Sequence, residues 1–147
     1  MLFPSREWCE AAALAMVRDP EVISAIADFG PVVAGVVIER GAGLESDFCV
    51  LARVEPGKPV KLSYPEDEDE LEALEPDYIG WASFSLCREL LEKTRAGERP
   101  DPLRAILERR VRLHGDLERL VKHAGRHQGA GLPALRGIPT EFPQEGS

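Results

Sequence analysis

The sequence predicts an α+β domain, and three observations carry that reading. Hydrophobic periodicity is helical up to Phe29, turns strand-like between Pro31 and Tyr64, and mixes the two from Tyr78 onward. Helix starts recur as Asp-Pro pairs, at Asp19-Pro20 and Asp101-Pro102. The stretch from Ala96 to Leu117 then condenses the pattern. It reads as a helix, one short strand, a turn at Gly115 and an aspartate-capped amphipathic helix, with no catalytic motif beside it.

Ser5 caps a first helix in which Trp8, Ala12 and Met16 recur every fourth residue, with Cys9, Ala13 and Val17 beside them, ending near Arg18. Asp19 caps a second, where Val22, Ile26 and Phe29 share one face until Gly30-Pro31 closes it. Residues Val32 to Ile38 are apolar in both alternating sets. Such a strand is either covered on both faces or turns one face toward a cavity. Phe48, Val50, Ala52 and Val54 alternate with Asp47, Cys49, Leu51 and Arg53, the pattern of a strand with one wetter face. Pro56-Gly57 turns the chain, and Val60, Leu62 and Tyr64 complete a three-stranded antiparallel meander.

The acidic run Glu66 to Glu70 suits the first turn of a short helix, where negative charge meets the positive end of the macrodipole. It lacks the glycine and spaced ligands of a calcium loop. Tyr78 to Phe84 is a fourth strand, and Ser85 caps the next helix, with Cys87, Leu90, Leu91 and Thr94 as its inward stripe. Gly97 ends it. After Asp101-Pro102, Leu103, Ile106 and Leu107 form the inner face of a shorter helix. In a fifth strand Val111 and Leu113 point one way, and Arg110, Arg112 and His114 the other. Asp116 caps the last helix, whose stripe is Leu117, Leu120, Val121 and Ala124. These elements define a domain over residues 1–127, helices 5–29 included. The Gly- and Pro-rich residues 128–147 read as an extended C-terminal tail.

A chain of 147 residues supports one core, burying roughly 70% of the surface exposed when unfolded. The net charge of −8 excludes a general nucleic-acid binder. Charge is uneven, however. Residues 66–77 hold eight acids and no base, whereas 88–126 hold eleven Lys or Arg against seven Asp or Glu. That basic half is read first as solvated helix faces and second as a contact for an acidic head group or a transiently met anionic membrane surface. Cys9, Cys49 and Cys87 are widely spaced in apolar stretches and read as reduced, buried thiols of the cytosol. No secretory signal, address tripeptide or run of roughly 18 apolar residues is expected to direct the chain elsewhere, so a cytoplasmic location is expected.

Candidate chemistry is sparse. His123 and His127 stand four apart on one helix face, a spacing that grips zinc, but the sequence near them offers no third ligand, and no metal is expected. Ser83, Ser85 and Cys87 sit in no glycine-flanked elbow and have no evident base. Gly41-Ala42-Gly43 follows a strand, yet lacks the third glycine and the helix of a nucleotide loop, and reads as a hairpin turn. Neither catalysis nor a cofactor is expected.

The order of meander, Trp-bearing strand, two helices, strand and Gly-Asp-capped helix resembles the sterol carrier protein 2 lipid-transfer family. The resemblance rests on the Gly97 turn, Pro102 to Ile106, Val111-Arg112-Leu113-His114-Gly115-Asp116, and Leu117 to Ala124. It is clearest over residues 79–124 and only topological over 31–64. Family members usually carry a glycine just before the last strand, where this chain has Glu108-Arg109. The resemblance implies a five-stranded, mostly antiparallel sheet covered by helices around an apolar tunnel or cavity. The implied cargo is a fatty acyl chain, acyl-CoA or sterol-like lipid. Helix and strand faces place Trp81, Phe84, Leu91, Leu103, Ile106, Leu113, Leu117, Leu120 and Val121 around such a tunnel, with Arg110 and Arg112 at its rim for a head group. The alternative is an accessory module of a lipid-modifying system with a filled core, docking through the Pro-rich segment 132–142.

Overall fold

The computed structural model describes residues 1–127 and 130–144. Two helices, α1 (Arg6–Met16) and α2 (Pro20–Phe29), precede the meander β1 (Val32–Glu39), β2 (Phe48–Val54) and β3 (Lys61–Ser63). Then come α3 (Glu68–Ala73), β4 (Tyr78–Ser83), α4 (Phe84–Arg95), α5 (Pro102–Leu107), β5 (Val111–His114) and α6 (Leu117–Arg126).

The short polar residues at the helix starts set these boundaries. Ser5, Asp19, Asp67, Asp101 and Asp116 each accept a hydrogen bond from a backbone N–H in the first turn of the helix they precede. One cap differs from the sequence expectation. Ser83, not Ser85, caps α4: it is the last extended residue of β4, and its Oγ accepts from the Leu86 N–H at 3.1 Å, so Phe84 already belongs to the helix.

The five strands lie in the order β3-β2-β1-β4-β5. Three pairings are antiparallel, and β1 with β4 is parallel. The register assigns side chains to faces. Val37 pairs with Cys49 on one side and Trp81 on the other, so these share a face with Leu51 and Ile79. The short helix α3 seals that face with Leu71, which is fully buried against Val37, Cys49, Leu51 and Ile79. Gly35 makes room for it, since a Cβ there would come within 2.8 Å of a Leu71 methyl.

Two loop positions explain the Gly-Asp ending and the departure just before β5. Gly115 has φ +138°, and a Cβ on it would come within 2.7 Å of the Asp77 carbonyl oxygen and run into the Tyr78 ring. Arg109 has φ +62°, so the left-handed conformation persists there without a glycine.

Residues 130–144 are not an extended tail. Pro133–Gly137 forms a 3-10 turn packed on α1 and α4, and Ile138 is buried with Phe3, Trp8, Phe84 and Leu91. Arg136 donates to the carbonyls of Thr94, Gly97 and Glu98, satisfying the end of α4. Trp8 Nε1 donates to Thr140 Oγ1 at 3.0 Å, and the Phe142 ring lies 6.1 Å from Phe3 and 6.3 Å from Phe84. Proline-rich composition disfavours regular helix, but it does not prevent a segment from burying scattered apolar side chains. Residues 128, 129 and 145–147 of the expected tail lie outside the described residues.

Candidate functional site

The second face of the sheet is apolar but not filled. β1 turns Val32, Ala34 and Val36 toward it, β2 adds Val50, Ala52 and Val54, and Leu62, Tyr78, Gly80 and Leu113 extend it across the remaining strands. Opposite stand Trp8, Cys9, Ala12, Ala13 and Met16 of α1, Val22, Ala25, Ile26 and Phe29 of α2, and Leu120 and His123 of α6. Between the layers lies a cavity of about 540 Å³ whose lining contains no Asp, Glu, Lys or Arg. Its cause is small residues facing small residues: Ala34, Ala52 and Gly80 on the sheet meet Ala12, Ala13 and Ala25 on the helices.

The two faces of β1 show the contrast. Val37, against α3, is 1% exposed, whereas its neighbour Val36, on the central strand of the sheet, is 38% exposed. A second cavity of about 550 Å³ beside α5 is of another kind, lined by Lys93, Glu98, Asp101, Arg104, Glu108 and Arg110 among others, and reads as a solvated cleft.

Burial favours the neutral form of two groups in the lining, Cys9 and Tyr78. Burial, with a smaller contribution from Glu10, pushes the Cys9 thiol up to about 11. Burial likewise raises Tyr78, whose hydroxyl donates to the Asp116 carbonyl at 2.9 Å. The α6 side of the mouth is fastened at its rim. His123 Nε2 donates to the Ala25 carbonyl at 2.8 Å and its ring meets Phe29 edge-on at 4.9 Å, while the Arg119 guanidinium lies 4.2 Å over the Phe29 ring and bonds the Phe29 carbonyl. No residue of α6 is buried.

A scan against protein-family models finds no match, and a search among curated proteins finds none. Solved structures do match. A conserved hypothetical protein of Thermus thermophilus, described as a possible sterol carrier protein, aligns with TM-score 0.68 at 13% identity, over 93% of this chain and 90% of its own. A crystal structure of sterol carrier protein 2 aligns with TM-score 0.67 at 15% identity, over 92% and 98%. The apo form of sterol carrier protein 2 from Yarrowia lipolytica gives 0.50 at 9%, over 87% and 88%. The chain has the sterol carrier protein 2 fold.

Within that fold the residues expected around the cavity are dispersed. Leu113 and Leu120 line it. Trp81 does not: its parallel register with Val37 puts it on the α3 face, where its Nε1 donates to Glu68 at 2.9 Å. Phe84 and Leu91 belong to the core formed with α1 and the C-terminal segment. Leu103 and Ile106 are half-buried on α5, which packs on β5, and Leu117 is 47% exposed. Val121 is half-buried outside the lining. The expected rim cations are elsewhere too. Arg112 lies over the Trp81 ring at 5.0 Å and 3.5 Å from Glu39, and Arg110 pairs with Glu89 of α4.

The lining that was missed comes largely from α1, α2, β1 and β2. The signal for it was present: the Trp8, Ala12, Met16 spacing, the Val22, Ile26, Phe29 face, and a β1 apolar on both alternating sets. Ser83, scanned as a nucleophile, is engaged as a cap. Gly41-Ala42-Gly43 is the β1–β2 turn, with Gly41 and Leu44 bridged across it. The one metal-type cluster among the described residues is Asp28, His123 and His127. Asp28, on α2, brings a carboxylate beside the two imidazoles that the sequence around the histidines does not supply.

Proposed function

We propose that the protein is a non-catalytic carrier that sequesters an elongated apolar ligand, of the fatty acyl or sterol-like class, between the sheet and helices α1, α2 and α6. The observation that supports this reading is the 540 Å³ cavity without a charged side chain in its lining, on the same fold as sterol carrier protein 2. A space walled by apolar groups holds water poorly and accepts apolar guests. Transfer of each methylene contributes about 0.8 kcal/mol, so a chain of about a dozen supplies at most about 10 kcal/mol before ordering is subtracted. Micromolar affinity or better is expected, with weak discrimination between chain lengths. Entry and exit would run past α6, a helix with no fully buried residue.

No bond making is assigned to the protein in this reading. The three free cysteines suit a reducing compartment such as the cytosol, and among the described residues no helix is long and apolar enough to cross a membrane. The accessory-module alternative drew its support from segment 132–142, which is occupied within the chain against α1 and α4. Native mass spectrometry of the purified protein, with displacement of a fluorescent fatty acid by palmitate, tests the carrier reading. Saturable displacement is expected. A chain that carries no lipid and displaces nothing would overturn it.

A further inference from the structure

We propose that Asp28, His123 and His127 form a binding site for a zinc-type divalent ion that ties α6 to α2. The helical repeat brings the two imidazoles onto one face of α6, their ring centroids 4.7 Å apart. From the last turn of α2, Asp28 Oδ2 reaches His127 Nε2 at 2.9 Å. One ligand atom from each of the three groups lies within 4.8 Å of the other two. Ligands at about 2.0–2.1 Å around a tetrahedral ion sit about 3.3 Å apart, so closing the site needs shifts of roughly an ångström. Side chains at the edge of two helices can make such shifts by small rotations.

The donor set suits the ion. Two imidazoles and one carboxylate match the borderline-soft preference of zinc and leave a fourth position for water. The outer contacts also fit. The Ala25 carbonyl can only accept, so His123 donates through Nε2 and keeps its lone pair on Nδ1, the arrangement in which a backbone carbonyl orients a metal-bound imidazole. Arg126 pairs with the same Asp28 Oδ2 at 3.0 Å, so an ion would displace that guanidinium or take the second carboxylate oxygen. A cavity of about 450 Å³, with Glu21, Ser24, Arg99, Arg126 and His127 in its wall, opens beside His127. Because α6 buries no residue of its own, an ion here would add a strong fastening where packing supplies little.

The full chain, stripped with a chelator, would be titrated with zinc chloride by calorimetry and with cobalt(II) by visible absorption. One ion per chain, tetrahedral cobalt bands without a thiolate charge-transfer band, and a raised melting temperature are expected. His127→Gln and Asp28→Asn, both at the helix edges, should each weaken uptake by more than about tenfold while leaving the circular dichroism unchanged. His123→Gln should do the same. Absence of saturable uptake, uptake indifferent to His127→Gln and Asp28→Asn, or a thiolate band pointing to the cysteines would each overturn the site and leave the cluster a hydrogen-bonded clasp. Asp28 and His127 lie outside the lining of the apolar cavity, so their readout is separate from any cargo there.

Discussion

If the cavity between the sheet and α1, α2 and α6 is where an apolar ligand sits, filling it should abolish binding without harming the fold, and emptying the opposite face should do the reverse. Val36→Phe performs the first operation. Val36 is on the central strand, faces the cavity and is 38% exposed, so the larger ring enters open space instead of packed neighbours. Phenylalanine adds about four carbons, displacing about four methylenes of ligand, or about 3 kcal/mol at 0.8 kcal/mol each. That is roughly a 200-fold loss of affinity. Thermal stability should hold or rise slightly. Leu51→Ala performs the second. Leu51 is 1% exposed beneath α3, and its truncation should reduce stability by about 2–5 kcal/mol while affinity in the folded fraction is retained. Displacement of a fluorescent fatty acid and a melting curve, run on both variants, separate the faces. A folded Val36→Phe protein that binds like the parent, or a Leu51→Ala protein that loses binding faster than stability, would refute the assignment of the cavity to this face.

Arg109→Gly should stabilise the chain by about 0.5–1 kcal/mol, because glycine adopts φ +62° without the Cβ strain; a denaturant midpoint that falls would show that the Arg109 side chain makes an offsetting contact. Arg136→Ala should reduce stability by about 1–2 kcal/mol through the three carbonyls it leaves, as read by urea unfolding; no change would mean that residues 130–144 behave as a tail after all. Cys9, with its thiol pushed up to about 11, should be alkylated slowly at pH 8, where about a thousandth is thiolate, and about tenfold faster per pH unit above it. A fatty acid should protect Cys9, which lines the cavity, and not Cys87, whose thiol burial also raises to about 11; equal protection of both would count against the proposed seat of the ligand. The sign for stability follows from the same shift. Burial favours the neutral thiol in the folded chain, so that contribution is complete below the ordinary value of 9.0 and is lost as pH rises toward about 11.

The elements were legible because their determinants are local. An Asp or Ser one residue before a helix, or an alternation over seven residues, acts within a turn or a strand, and the caps at Ser5, Asp19, Asp101 and Asp116 follow from it. The resemblance over residues 79–124 likewise pointed to the right fold, through Gly115 and the helices around it. Placement around the cavity failed where it depended on register. Nothing in Tyr78 to Ser83 states whether Trp81 or Gly80 shares a face with Val36, because that parity is set by pairing with a strand more than forty residues earlier. The C-terminal segment failed for a related reason: Ile138 and Phe142 gain their meaning from partners far away in the sequence, Phe3 at the other end of the chain and Phe84 in its middle.

The two apolar sets of β1 set the central physical problem of the molecule, and the helices answer it unequally. On the α3 side Leu71, admitted by Gly35, is buried with Val37, Cys49, Leu51 and Ile79, and Val33 and Trp81 pack against them. On the other side three helices cover the sheet, but Ala12, Ala13 and Ala25 stand among their larger residues opposite Ala34, Ala52 and Gly80, and the volume between is not filled. A core under selection for stability alone would convert Ala34, Ala52, Ala12 and Ala25 to larger residues, since filling such a space stabilises a fold. An unfilled layer on one face beside a sealed layer on the other is therefore the arrangement expected of a protein whose second core is completed by a guest, and Val36→Phe is the substitution that would supply that guest covalently.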